Sequence, residues 1–193
     1  MASLLRQLRR LLAREDVRSI SRRYLVSNGF DGTLTSIGVI VGAVLSGIPT
    51  GLTVIKIGVG AAIGLTTSAV WSVWEIERAE TRAEIHRLEQ AMLTDLDESR
   101  IDAEQRAVRL LHATASGMGP LIGVLVPLVP FLFEGTALSM AMAGVLGVAL
   151  GVTVLGAFGA YMGSISGQRW YVAAIRMGAA GLVVAALNLL LPG

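Results

Sequence analysis

The sequence predicts an all-α membrane protein of five transmembrane helices, with a cytoplasmic helical extension between spans two and three. Three observations carry that prediction. Apolar residues make up 53% of the chain against 16% charged, and mean hydropathy is +0.67; a soluble domain of this size keeps roughly 25% charged residues to cover its surface. The charges that remain are clustered. Of the 16 basic residues, seven arginines precede Tyr24 and six lie between Arg78 and Arg109, while ten of the 14 acids fall between Glu75 and Glu104. Elsewhere the chain consists of apolar stretches of hydrocarbon length, a spanning helix needing roughly 20 residues at 1.5 Å rise each.

Residues 3–14 come first, with leucines (Leu4, Leu5, Leu8, Leu11, Leu12) between Arg6, Arg9, Arg10 and Arg14. That spacing reads as a basic amphipathic helix on an anionic membrane surface, or as a basic tail without structure. This stretch lacks the short apolar core and small-residue cleavage site of a signal peptide. Span one is expected at 29–45, closing at Ser46-Gly47-Ile48-Pro49, and span two at 52–74. Spans three, four and five are expected at 118–133, 136–165 and 170–191. Between spans two and three, Ile76, Ala79, Ala83, Leu88, Met92 and Leu96 recur at helical spacing, with a turn around Asp95, Asp97 and Glu98 before the helix resumes over 100–112. The chain thus divides into a basic arm (1–24), spans one and two (25–74), a charged helical segment (75–116) and spans three to five (117–193).

Arginine placement sets the orientation. The arm, the 75–112 segment and the link bearing Arg169 hold nearly all the basic residues, whereas the opposite turns at 46–51 and 133–136 hold none. The positive-inside bias puts the N-terminus in the cytoplasm and the C-terminus outside, as in a prokaryotic cytoplasmic membrane. The net charge of +2 is then a topology signal and not a nucleic-acid face, and the absence of cysteine excludes disulfides and thiolate metal sites. Glycines spaced by four (Gly38/Gly42, Gly60/Gly64, Gly147/Gly151, Gly159/Gly163) let helix backbones approach closely, either within one chain or across a dimer seam.

An ionisable group inside a span is a candidate functional residue. Asp31, Lys56 and Arg176 qualify. Lys56 and Arg176 have stems long enough to reach the headgroups. Asp31 does not, so it either needs a partner, water or a cation, or it caps the start of a helix. Glu77, Glu80 and Glu84, with Glu75 beside them, place a row of carboxylates on one helix face. Such a row suits Fe²⁺, Mn²⁺ or harder divalent cations, or it is a solvated face pairing with Arg78, Arg82 and Arg87. His86 and His112 read as isolated surface or interfacial residues. No nucleophile–base arrangement, phosphate loop or zinc spacing is present, which argues against an enzyme.

Three stretches together resemble the vacuolar iron transporter family. Phe30-Asp31-Gly32-Thr33-Leu34-Thr35 resembles its first-span motif. The stretch from Leu121 to Leu132, with Pro127 and Pro130, resembles its third span. Ser166-Gly167-Gln168-Arg169-Trp170, followed by Arg176-Met177, resembles its link between spans four and five. The resemblance implies a homodimeric carrier of five spans in the same orientation, exporting Fe²⁺, Mn²⁺ or other divalent ions from the cytoplasm against counter-moving protons. The metal is then a substrate, with no tightly bound cofactor. It also implies that Asp31 binds metal and couples protons, a neutral acid being a poor ligand, and that Glu75, Glu77, Glu80 and Glu84 gather metal on the cytoplasmic side. Asn28, Thr33, Thr35, Thr66 and Thr67, with Ser68, line a polar path in this reading. The chain departs from the family in two places. Span two reads Gly64-Leu65-Thr66-Thr67-Ser68 where the family usually has a Ser-Met pair followed by Gly-Glu, and the cytoplasmic segment is short, with Met92 in place of a Met-Met-x-x-Glu motif. The alternative is a membrane scaffold, or a carrier of another substrate, that retains the fold.

Overall fold

A computed structural model describes residues 14–92 and 98–190. The arm expected over residues 3–14 lies outside the described residues except for Arg14, as do Asp95 and Asp97 of the expected turn. Five helices follow in order: α1 (Glu15–Leu45), α2 (Gly51–Met92), α3 (Glu98–Leu128), α4 (Met140–Ile165) and α5 (Trp170–Leu189), with a 3₁₀ turn (Val129–Phe133) continuing α3. All five are long and apolar enough to cross a membrane.

The first three helices are longer than their apolar cores, because the charged segments continue them. Glu15 and Asp16 occupy the first turn of α1, where carboxylates complement the helix dipole. α2 runs unbroken for 42 residues, about 63 Å at 1.5 Å per residue, twice the roughly 30 Å of a hydrocarbon core. Glu98, expected in a turn, instead opens α3. At the other end of α1, Gly47 adopts φ +66, the Gly47 N–H donates to the Val44 carbonyl and the Ile48 N–H to that of Ala43. These are the paired bonds of a Schellman close, and Pro49 follows where no helix could continue. The Glu134 carboxylate accepts from the Gly51 N–H at 3.0 Å and so caps α2 from the turn after α3. α4 begins at Met140 and not at Thr136, because the Ser139 side chain accepts from the Met142 N–H and fixes the start there.

α3 is the centre of the bundle and packs most extensively against α1. Their backbones almost touch. A Cβ on Gly119 would lie 2.5 Å from the Leu25 carbonyl oxygen, and one on Gly123 would lie 2.5 Å from that of Gly29. On the α1 side, a Cβ on Gly32 would sit 2.7 Å from Pro120 Cα. The Ser36 hydroxyl donates to the Val124 carbonyl across this seam at 3.2 Å. Pro120 and Pro127 lie inside α3, where each removes a helical N–H donor, and both are fully buried against neighbours. Ile37, Ile40, Val54, Val124 and Leu155 fill the remaining core.

The small-residue pairs divide into two sets. Gly147, Gly151, Gly159 and Gly163 meet other helices of the same chain closely, whereas Gly42, Gly60 and Gly64 have no atom of another element within 4 Å of a would-be Cβ. Introducing Val at Gly123 is expected to cost about 1–3 kcal/mol by overpacking the seam, seen as a lower Tm in detergent. Gly156→Ala, whose Cβ would have 3.8 Å of clearance, should leave Tm unchanged.

Candidate functional site

The polar groups of three helices converge where the apolar spans give way to the charged end. His112 of α3 is 2% exposed, buried where sequence reasoning put it at a surface or interface. Its Nδ1 lies 3.1 Å from Glu77 Oε1 of α2. That is an ion-pair distance, although neither ring nitrogen has a hydrogen-bond partner. The same Glu77 oxygen accepts from the Tyr24 hydroxyl of α1 at 3.1 Å, and the Tyr24 ring leans on the imidazole with centroids 6.0 Å apart.

A chain of hydrogen bonds leads inward. Asn28 donates to the Tyr24 carbonyl at 3.0 Å and to Ser116 Oγ at 2.9 Å; Ser116 in turn donates to the Ala69 carbonyl of α2 at 3.0 Å. Three helices are thereby tied at one level. Tyr24, Asn28, Asp31, Thr35, Gly38 and Gly42 recur at spacings of four and three, so they form a single stripe along α1.

Asp31 lies on that stripe, in the interior of α1 and not at its start, so helix capping is not its role. It is exposed, and its carboxylate has no hydrogen-bond or ion-pair partner among the described residues; its carbonyl accepts from Thr35. Thr33 is buried and donates to the Gly29 carbonyl. Thr66 is half-buried with its hydroxyl unpartnered, and Thr67 and Ser68 are exposed. Lys56 and Arg176 are exposed near the ends of their spans.

Glu77, Glu80 and Glu84 all line one polar cavity of about 460 Å³, together with His112, Thr81 and Asp16. Glu75 turns away from it and pairs with Arg78 at 3.7 Å. The carboxylate row therefore shares a cavity without converging: among the described residues no three of His, Asp and Glu come together tightly enough to enclose a metal ion. An apolar cavity of about 320 Å³ lined by Ile40, Val44, Val148 and Leu189 lies at the other end and offers no donor or acceptor chemistry.

Ser116→Ala should remove the bonds from Asn28 and to the Ala69 carbonyl, leave Asn28 held by the Tyr24 carbonyl alone, and cost about 1–3 kcal/mol. Tyr24→Phe, which removes one half-buried bond, should cost about 1 kcal/mol. Thermal unfolding in detergent checks the order of the two.

An uncharacterized protein of Methanocaldococcus jannaschii is 29% identical over 170 residues, covering 86% of this chain and 85% of that one. Residues 61–191, spans two to five, match the model of the VIT family. The match spans more than half of the chain and includes α3, α4, α5 and most of α2, so the chain belongs to the VIT, or vacuolar iron transporter, family of membrane metal-ion transporters.

Proposed function

We propose that the protein is a homodimeric, proton-coupled exporter of Fe²⁺ or Mn²⁺, with its N-terminus and charged end in the cytoplasm. The observation that carries this reading is Asp31, an exposed and unpartnered carboxylate on a membrane-spanning helix. Facing lipid, that charge would be expensive. Facing a second copy, it lies in a polar seam with Thr35, on the same stripe as the open Gly42, and the stripe leads through Asn28 and Tyr24 to Glu77.

The arginine distribution supports the orientation, since the start of α1 and the charged stretches of α2 and α3 line one cavity at the same end of the bundle. At that end Glu77 and His112 offer one oxygen and one nitrogen 3.1 Å apart. Two ligands of a common ion at roughly 2.0–2.2 Å sit at about such a separation. The imidazole suits Fe²⁺ and the carboxylate suits Mn²⁺, which supports these ions as cargo. In this role the pair provides a first stop from which Asp31 receives the ion. Protonation of Asp31 from the far side releases it, a neutral carboxyl being a poor ligand.

In proteoliposomes with an imposed pH gradient, Mn²⁺ and Fe²⁺ flux should saturate, and Asp31→Asn should lower it at least tenfold in protein that remains folded. Absence of flux for any divalent ion would falsify the carrier reading and leave a scaffold that retains the fold. The seam has its own check, because the chain lacks cysteine. A single Gly42→Cys variant should form disulfide-linked dimers in membranes on mild oxidation, whereas Leu146→Cys, exposed on α4, should not.

A further inference from the structure

α2 carries a second charged face that the metal path does not use. Trp74, Arg78 and Arg82 recur every four residues, and at 3.6 residues per turn their face lies roughly 120° around the helix from Glu77, Glu80 and Glu84. Opposite them on α3 stand Arg106 and Arg109. The four arginines and Trp74 line one cavity of about 680 Å³, which adjoins the acidic one at Thr81.

Arg109 is the unusual member. It is 6% exposed, its guanidinium carbon lies 5.3 Å over the Trp74 ring, and its Nε has no hydrogen-bond partner. A buried guanidinium is always charged, and a ring face alone does not replace its lost hydration. Among the described residues, the one carboxylate pairing with Arg78 is Glu75, at 3.7 Å and half-exposed. Arg78 and Arg106 have partners of their own, but Arg82 and the buried Arg109 have no ion pair among the described residues, an arrangement that an anion with several acceptor oxygens would relieve. Guanidinium forks match phosphate oxygens two at a time. The cavity also sits where the apolar stretch of α2 ends at Trp74, the depth at which Trp marks a headgroup region. Exposed Trp71 and Leu110 beside it offer apolar surface for acyl chains.

We propose that this cavity binds a phosphate-bearing anion, the headgroup phosphate of an acidic phospholipid in the leaflet at the charged end. Arg109 and Trp74 form its floor, while Arg78, Arg82 and Arg106 grip the oxygens. Basic pockets between spans are a recurrent way of holding such headgroups.

The test is thermal unfolding of the full chain in an uncharged detergent, titrated separately with phosphatidylglycerol, phosphatidylcholine and inorganic phosphate. Phosphatidylglycerol should raise Tm and phosphatidylcholine should not. Arg82→Gln, an exposed position whose loss leaves the fold intact, should cut that rise by at least half. Arg109→Gln should abolish it, and Arg109→Lys should restore part of it. An equal rise with inorganic phosphate, lost in Arg82→Gln, assigns the site to a soluble phosphate in place of a lipid. No rise with either phosphate source, or a rise undiminished in Arg82→Gln, overturns the site.

Discussion

Everything else in this bundle hangs on the backbone contact between α1 and α3. With Gly29 and Gly32 facing Gly119, Pro120 and Gly123, the two helices approach until main-chain atoms are the contact surface. Between helices in lipid no hydrophobic effect acts, and close packing plus a few hydrogen bonds must supply the association. The seam explains why α3 tolerates two prolines: its path is set by what it packs against more than by its own helical bonds. It also fixes the level at which Asn28 meets Ser116 and at which Tyr24 and His112 stand side by side. A shift of one residue along the seam would turn that whole row away from Glu77.

The charged end is organised by partition. α2 carries carboxylates on one face and arginines on another, and α3 answers each with its own residue, His112 toward the acids and Arg109 toward the arginines. Only Glu75 and Arg78 pair across the two sets on α2 among the described residues. Neutralising each row locally with its neighbours, the usual use of i,i+3 and i,i+4 spacing, would have left two uncharged surfaces. Keeping them apart produces two cavities of opposite sign within one short stretch of helix.

Much of this was legible beforehand, and the failures have physical causes. Span number and order followed from apolar length, and the Gly47 close of α1 from local chemistry. Helix starts did not, because hydropathy registers only the apolar part of a helix and α1 begins well before it. Counted from the apolar start, Asp31 falls at a cap position, whereas it is mid-helix. Apolarity resumes near Thr136 and so predicts an early start for α4, whereas Ser139 decides the boundary by a hydrogen bond. His112 looked isolated since its partner Glu77 is distant in sequence and comes from another helix; a histidine at the inner edge of a span, on the helix face that also carries Ser116, was the available signal. Which glycines face inward could not be read from spacing at all, being a property of where neighbouring helices stand.

The unbroken length of α2 has a mechanical consequence. Its Ala69 accepts from Ser116 and its Glu77 from Tyr24, so the bundle holds it as far as Glu77, while the turns that follow are largely exposed. Those turns behave as a lever pivoting near Glu77. Met92 lies 15 residues beyond that fulcrum, about 22 Å, so a tilt of about 5° carries it about 2 Å. Motions too small to break the core contacts at the pivot are thus enough to change the separation of groups at the tip, and any ligand held there would be felt at the fulcrum with the same mechanical advantage.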